Sequence, residues 1–276
     1  GFFCDQIKKN RPNVMIVVPA LYDMMVANPA FVDIDFSKLR VAVSGAAPLT
    51  RGSYDALSAI IGEKKISDAF GMTETAPCYT VNPPKQYKLG SIGFPVPNAK
   101  VRIRDVETGN HDMPFGEPGE IVCTGPQVMK GYLNLPNESA KALREIDGER
   151  WMFSGDVGYM DEDGYIFLCD RAKDMLIVGG YKVFSVEVED KLSAIPEIGA
   201  CALIGTEDKG RPGNDIVNLY VELSANYKNT EQNTLKDKIL TFCRESMAAY
   251  KAPKHIHFID AIPLTPVGKI DKKALR

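Results

Sequence analysis

The sequence predicts an α/β protein: an open, mostly parallel sheet with helices, then a small antiparallel β subdomain, then a compact α+β domain. Three observations predict it. Over 1–88, short apolar runs alternate with apolar residues at helical spacing. Over 89–170, short alternating strands are separated by Gly, Pro and Asp turns. Over 171–276, strands and helices mix again as a domain of their own.

The elements follow in order. Val14 to Val18 reads as a buried strand closed by Pro19. Leu21, Met24 and Met25 stand at i, i+3 and i+4, one face of a helix that Asn28-Pro29 ends. Leu39 to Ser44 is a second strand, running into the turn Ser44-Gly45-Ala46-Ala47-Pro48. Ligands of open α/β sheets bind beyond the carboxyl ends of the strands, so the turns at Gly45 and Gly71 are the first places to look. Val101–Ile103, Ile121–Cys123 and Tyr165–Phe167 are the antiparallel strands. Met175–Val178 is a strand with a Gly179-Gly180 turn, and Val188, Leu192 and Ile195 mark a helix face, with Glu187 and Glu189 placed early against its positive end. Leu219, Val221 and Leu223 alternate as a strand. Leu235, Ile239, Phe242 and Cys243 mark the last helix.

Composition excludes several classes. At 276 residues, with 45% apolar and 25% charged side chains, the chain can bury a large core and is neither disordered nor collagen-like. Apolar stretches such as Met15–Ala20 are too short to cross a bilayer, although contact with a membrane surface stays open. The start, Gly1–Asp5, lacks the basic region, apolar block and cleavage site of a signal peptide. The formal charge of −3 and the scattered Lys and Arg leave no basic stripe for nucleic acid. Six well-separated cysteines without a CxxC pair point to a reducing cytoplasm.

Four segments combine glycine with reactive side chains. Asp68-Ala69-Phe70-Gly71-Met72-Thr73-Glu74-Thr75 offers a flat ring, close backbone access, and a hydroxyl and carboxylate suited to Mg²⁺ and phosphate; Thr73 or Thr75 could equally be a helix cap. Phe153-Ser154-Gly155-Asp156 puts a carboxylate in a glycine turn, where it could accept ribose hydroxyls or be merely structural. Asp170-Arg171-Ala172-Lys173-Asp174, followed by Gly179-Gly180-Tyr181-Lys182, reads as an exposed hinge or a solvated charge run. Thr265-Pro266-Val267-Gly268-Lys269 could carry a lysine into a cleft as a point charge, or be a basic tail.

The order of these segments, with Ser44-Gly45-Ala46-Ala47-Pro48-Leu49 and Gly125–Tyr132 (GPQVMKGY), resembles the ANL superfamily of AMP-forming adenylating enzymes across the whole chain. Val18–Tyr22 and the KDMLIVGGYKV segment look most like its fatty acyl-CoA synthetases. The resemblance implies the C-terminal part of an enzyme that uses ATP, Mg²⁺ and CoA to turn a carboxylic acid into an acyl-adenylate and then a thioester. Residues 1–170 would be the end of a large AMP-binding domain, and 171–276 its mobile C-terminal domain.

By the same resemblance, Phe70 would stack on adenine, flanked by Asp68, Gly71, Ala46, Ala47 and Pro48. Thr73 would touch phosphate and Glu74 would hold Mg²⁺. Asp156 and Arg171 would bind the ribose hydroxyls, and Lys269 would neutralise the attacking carboxylate and α-phosphate. Lys173 would be the hinge, and the bare backbone of Gly179 and Gly180 would let a pantetheine arm pass.

The sequence departs from the superfamily's pattern too. The phosphate loop ending in Pro-Lys-Gly is absent, and Pro263 stands where a Walker loop would need its first glycine, so a fragment inactive by itself is expected. Phe70 stands where tyrosine is more usual. The rival readings are a ligase that loads a carrier protein and an inactive nucleotide-binding homologue. Asp161-Glu162-Asp163-Gly164 reads as a hairpin turn and not a calcium loop, because Ala172 stands at the twelfth position. His255 and His257 read as structural or surface histidines, and Lys272, Lys273 and Arg276 as solvated.

Overall fold

The computed structural model describes residues 1–47, 49–228, 231–265 and 270–276. It divides into two compact units, Gly1–Leu168 and Cys169–Arg276.

The first unit opens with α1 (Phe2–Asn10), β1 (Val14–Val17), α2 (Pro19–Val26), α3 (Pro29–Val32), β2 (Val41–Gly45), α4 (Arg51–Ile61) and β3 (Ile66–Phe70). The three strands pair in parallel, β1 with β2 and β2 with β3, and helices cross between them. Pro19 starts α2, where its missing N–H costs nothing. Asn28 both follows α2 and caps α3, its side chain accepting from the Ala30 amide at 3.0 Å. Tyr22, Met25, Phe31, Leu57, Ile61 and Ile66 are buried together under the sheet.

The chain then turns antiparallel through β4 (Thr80–Asn82), β5 (Ser91–Pro95), β6 (Lys100–Arg104) and β7 (Gly119–Thr124). It continues through α5 (Pro136–Ala142), β8 (Leu143–Ile146), β9 (Glu149–Met160) and β10 (Ile166–Arg171), whose end from Cys169 on belongs to the second unit. These strands do not form a separate sheet. Because β4 pairs with β3 and β5 with β4, one sheet runs β1-β2-β3-β4-β5-β10-β9-β7-β6, with β8 beside β9.

The second unit holds the hairpin β11 (Leu176–Val178) and β12 (Tyr181–Val183), then α6 (Ser185–Leu192), β13 (Ile198–Glu207), β14 (Asp215–Leu223), α7 (Gln232–Ser246) and β15 (His255–Ile259). β13 pairs antiparallel and β15 parallel with β14. Val188, Leu192 and Ile195 meet Leu219, Val221, Leu235, Ile239 and Cys243 in its core, and Phe242 packs against them. No described helix is long and apolar enough to cross a membrane.

Four expectations need correction. β1 is an edge strand whose only buried side chain is Met15, with Ile16 77% exposed, so the run is not a buried strand. On α2 the buried residues are Pro19, Tyr22 and Met25, whereas Met24 is 70% exposed; the inward face is offset from the 21/24/25 reading. The charges at 170–174 are only half a solvated run, since Arg171 and Lys173 are exposed and the two aspartates are not. Asp170 and Asp174 are buried, because Ser185 and Arg276 satisfy their carboxylates. Lys272 and Arg276 are likewise paired: Lys272 Nζ lies 2.8 Å from Glu189, with side-chain exposures of 11% and 13%. Glu189 also accepts from the Leu203 amide at 2.7 Å.

Candidate active site

Parallel register brings the first two loops together. Ser44 lies opposite Asp68 and Gly45 opposite Ala69, so Ala46 and Ala47 leave β2 where Phe70 and Gly71 leave β3. Ala46 holds a left-handed backbone, φ 70°, which turns the chain sharply at the strand end. Pro48 lies outside the described residues.

Asp68 is a strongly perturbed acid. Burial pushes its carboxyl up to about 6, against a hydrogen bond from Tyr87 that favours the charged form. Tyr87 stacks on Tyr54 with ring centroids 4.7 Å apart, so the phenol that meets Asp68 is held by packing.

Beyond Gly71 the two threonines part company. Thr75 is buried, and its hydroxyl accepts from the Met72 amide at 3.1 Å, which is the local capping role. Thr73 is exposed beside it. Glu74 is half-buried and meets the segment 125–132 twice: Tyr132 donates its phenol proton to Oε1 at 2.7 Å, and the Met129 amide donates to the Glu74 carbonyl at 2.8 Å. The hydrogen bond to Glu74, with burial adding to it, raises the Tyr132 phenol to about 12.

Tyr79 joins this cluster to Asp156. Its ring meets Phe70 edge-on at 5.5 Å, and the Asp156 carboxylate lies within electrostatic reach of its phenol. Asp156 is buried on β9 at a break in register: Glu120 faces Val157 and Val122 faces Phe153, so Ile121 alone opposes Ser154, Gly155 and Asp156. Bulges of this kind re-aim a side chain. Thus Ala46, Ala47, Asp68, Phe70, Gly71, Thr73, Glu74 and Asp156 gather within the first unit.

The other expected residues lie in the second unit. Arg171 ends β10, and its amide donates to Asp170 Oδ1 at 2.7 Å. The Lys173 carbonyl accepts from Arg276 at 3.2 Å. Gly179 and Gly180, with φ of 61° and 83°, make the two-residue turn of the β11–β12 hairpin, and a side chain built on either meets nothing within 4 Å. Lys269 lies outside the described residues.

With this geometry in view, the comparisons with known proteins decide the family. The AMP-binding enzyme model matches residues 1–133, and the AMP-binding enzyme C-terminal domain model matches 187–269. A 4-coumarate–CoA ligase 1 of Glycine max is 34% identical over 275 residues, covering 98% of this chain and 90% of that one. The chain belongs to the AMP-binding enzyme family.

Within the AMP-binding enzymes, a long-chain-fatty-acid–CoA ligase of Yersinia pestis is 36% identical over 260 residues, covering 94% of this chain and 44% of its own length. The ATP-bound crystal structure of MatB from Rhodopseudomonas palustris superposes with a TM-score of 0.83 at 29% identity, covering 100% of this chain and 52% of that one. The chain therefore spans about half the length of these two relatives.

Tyr79, Tyr87, Glu120 and Tyr132 are the site neighbours that sequence reasoning missed. GPQVMKGY was recognisable as a pattern, but nothing in it announces that its tyrosine meets a glutamate 58 positions earlier.

Proposed function

We propose that this chain takes part in activating a carboxylic acid with ATP and passing the acyl group to the thiol of CoA. The observation that supports it best is the gathering of Phe70, Glu74 and Asp156 around Tyr79 and Tyr132 in a member of the AMP-binding enzymes. In the first step a carboxylate oxygen attacks the α-phosphorus, forming an acyl-adenylate as pyrophosphate leaves. In the second the CoA thiol gives up its proton and attacks the acyl carbonyl, and AMP leaves.

In this reading Phe70 presents a ring face to adenine, with Ala46, Ala47, Pro48, Asp68 and Gly71 around the base. Asp156 and Arg171 accept and donate to the ribose hydroxyls, and Thr73 donates to phosphate. Glu74 fits Mg²⁺: it is a half-exposed single carboxylate, and no group of three acidic, His or Cys residues forms among the described residues. A lone carboxylate completed by substrate phosphates and water is a common Mg²⁺ arrangement. Such an ion, when bound, would offset phosphate charge; Glu74, steadied by Tyr132, would hold it. Lys269 supplies positive charge for the first step, Lys173 is the hinge about which 171–276 turn between steps, and Gly179-Gly180 leaves room for pantetheine.

The acid we propose first is a fatty acid, on the likeness to the Yersinia ligase, with aryl acids as the comparison. All six cysteines are free thiols, in keeping with a reducing, cytoplasmic setting. Acid-dependent exchange of labelled pyrophosphate into ATP, measured in the protein that carries this chain, tests the first step. Exchange that needs both acid and Mg²⁺ supports the proposal; none with any fatty or aryl acid would refute it.

A further inference from the structure

The bulge that aims Asp156 is not held by Asp156 itself. Gly155 sits in its middle with φ 72°, a left-handed conformation that glycine adopts without strain, and its amide has left the β-ladder. That amide donates instead to Oε1 of Glu120 on the neighbouring strand β7, at 2.9 Å. Ser154 completes the turn: its hydroxyl donates to the Ile121 carbonyl at 2.6 Å and accepts from the Asp156 amide at 3.0 Å. So three side-chain–backbone bonds replace the ladder bonds that the three residues opposite Ile121 cannot make.

Burying Glu120 for this purpose is costly. It is 9% exposed, burial raises its carboxyl, and the neighbouring Asp156 carboxylate raises it further, against the Gly155 amide and the Arg144 charge. Arg144 is itself occupied over the Phe153 ring, 4.1 Å from its centre. A buried acid beside a second acid persists only where its hydrogen bond is worth having. The geometry accounts for this: the Gly155 amide, half-buried and out of the ladder, takes its acceptor from β7, and that bond is what fixes the bulge.

We propose that Glu120 is a positioning residue for ribose recognition: by holding the Gly155 amide it fixes the bulge that presents the Asp156 carboxylate to the sugar hydroxyls. The inference rests on the nucleotide reading of Asp156 given above. An acceptor is all that the bond requires, so Gln at 120 should serve and Ala should not. A carboxylate held in place distinguishes a sugar that offers a hydroxyl from one that does not; a carboxylate free to swing does so less.

The test compares binding of AMP and 2′-deoxy-AMP to the chain by calorimetry, alongside hydrogen exchange at the Gly155 amide. The wild type should prefer AMP by about tenfold or more, the effect of one charge-assisted hydrogen bond. Glu120→Ala should bring that preference to within about threefold of unity by weakening AMP alone, a fraction of the same bond. Glu120→Gln should keep it. The Gly155 amide should be protected in the wild type and in Glu120→Gln.

An unprotected Gly155 amide in the wild type would overturn the proposal without any variant. So would an Ala variant that keeps the full preference, or a Gln variant as impaired as Ala. Absence of AMP binding by the wild type would instead remove the nucleotide reading on which the inference stands.

Discussion

Tyr132 donates a 2.7 Å hydrogen bond to the carboxylate of Glu74, from a segment whose Met129 amide also binds the Glu74 carbonyl. A short 3₁₀ turn, Thr73–Thr75, carries the glutamate, so its carboxylate direction depends on this outside grip. Tyr132→Phe keeps the ring and removes the bond. It should raise the Mg²⁺ concentration for half-maximal activity by about tenfold, the worth of a bond to a charged group. Magnesium titration at fixed ATP checks it, with a melting temperature close to that of the wild type.

Asp68 makes stability depend on pH. Its folded value of about 6 exceeds the ordinary 3.8, so the folded chain binds this proton more tightly than the unfolded chain. The stabilising contribution is complete below pH 3.8 and is lost as pH rises through about 6. Asp68→Asn should remove that slope and leave the protein more stable at pH 7 by roughly 1–3 kcal/mol. Urea unfolding of both proteins at a series of pH values between 4 and 8 measures it. A slope unchanged by the substitution would contradict the assignment.

Gly71 is where two backbones pass closest in the site. A Cβ there would stand 2.0 Å from the Pro77 carbonyl oxygen and 2.7 Å from the Cys78 Cα, neither of which is a side chain that can swing away. Gly71→Ala should destabilise the protein by about 1–3 kcal/mol, the usual range for overpacking. It should also displace Phe70 and weaken AMP binding. Thermal melts and calorimetry read the two effects separately.

Lys272 and Glu189 form a largely buried ion pair in the second unit, with side-chain exposures of 11% and 13%. Lys272→Ala would leave Glu189 buried without its cation, a loss of about 3–5 kcal/mol for a truncated buried pair. Lys272→Met combined with Glu189→Leu should recover most of that loss. Equal destabilisation by the single and double variants, measured by urea unfolding, would show that the pair is not the source.

What the sequence disclosed follows from how far each signal reaches. Val188, Leu192 and Ile195, or Leu219 and Val221, reveal a buried face by local spacing, and all five are in the core. Ile16 and Met24 were misread because local spacing does not say which flank of an element lacks a neighbour. Lys272 looked like part of a basic tail because its partner, Glu189, lies on a helix 83 positions earlier. The motif residues around Phe70 and Asp156 stood out through glycines and reactive side chains. Glu120 and Tyr132 carry no such mark. Their significance comes from contacts that only the folded strands create.

The central claim is acid activation followed by thioester formation. Its most direct test gives the protein that carries this chain ATP, Mg²⁺ and a ladder of fatty and aryl acids, with and without CoA, and identifies the products by mass spectrometry. The account predicts an acyl-CoA that forms only when CoA is present. Acyl-adenylate unchanged by CoA would contradict CoA as acceptor and point to a carrier protein, and no product from any acid would contradict the catalytic reading itself.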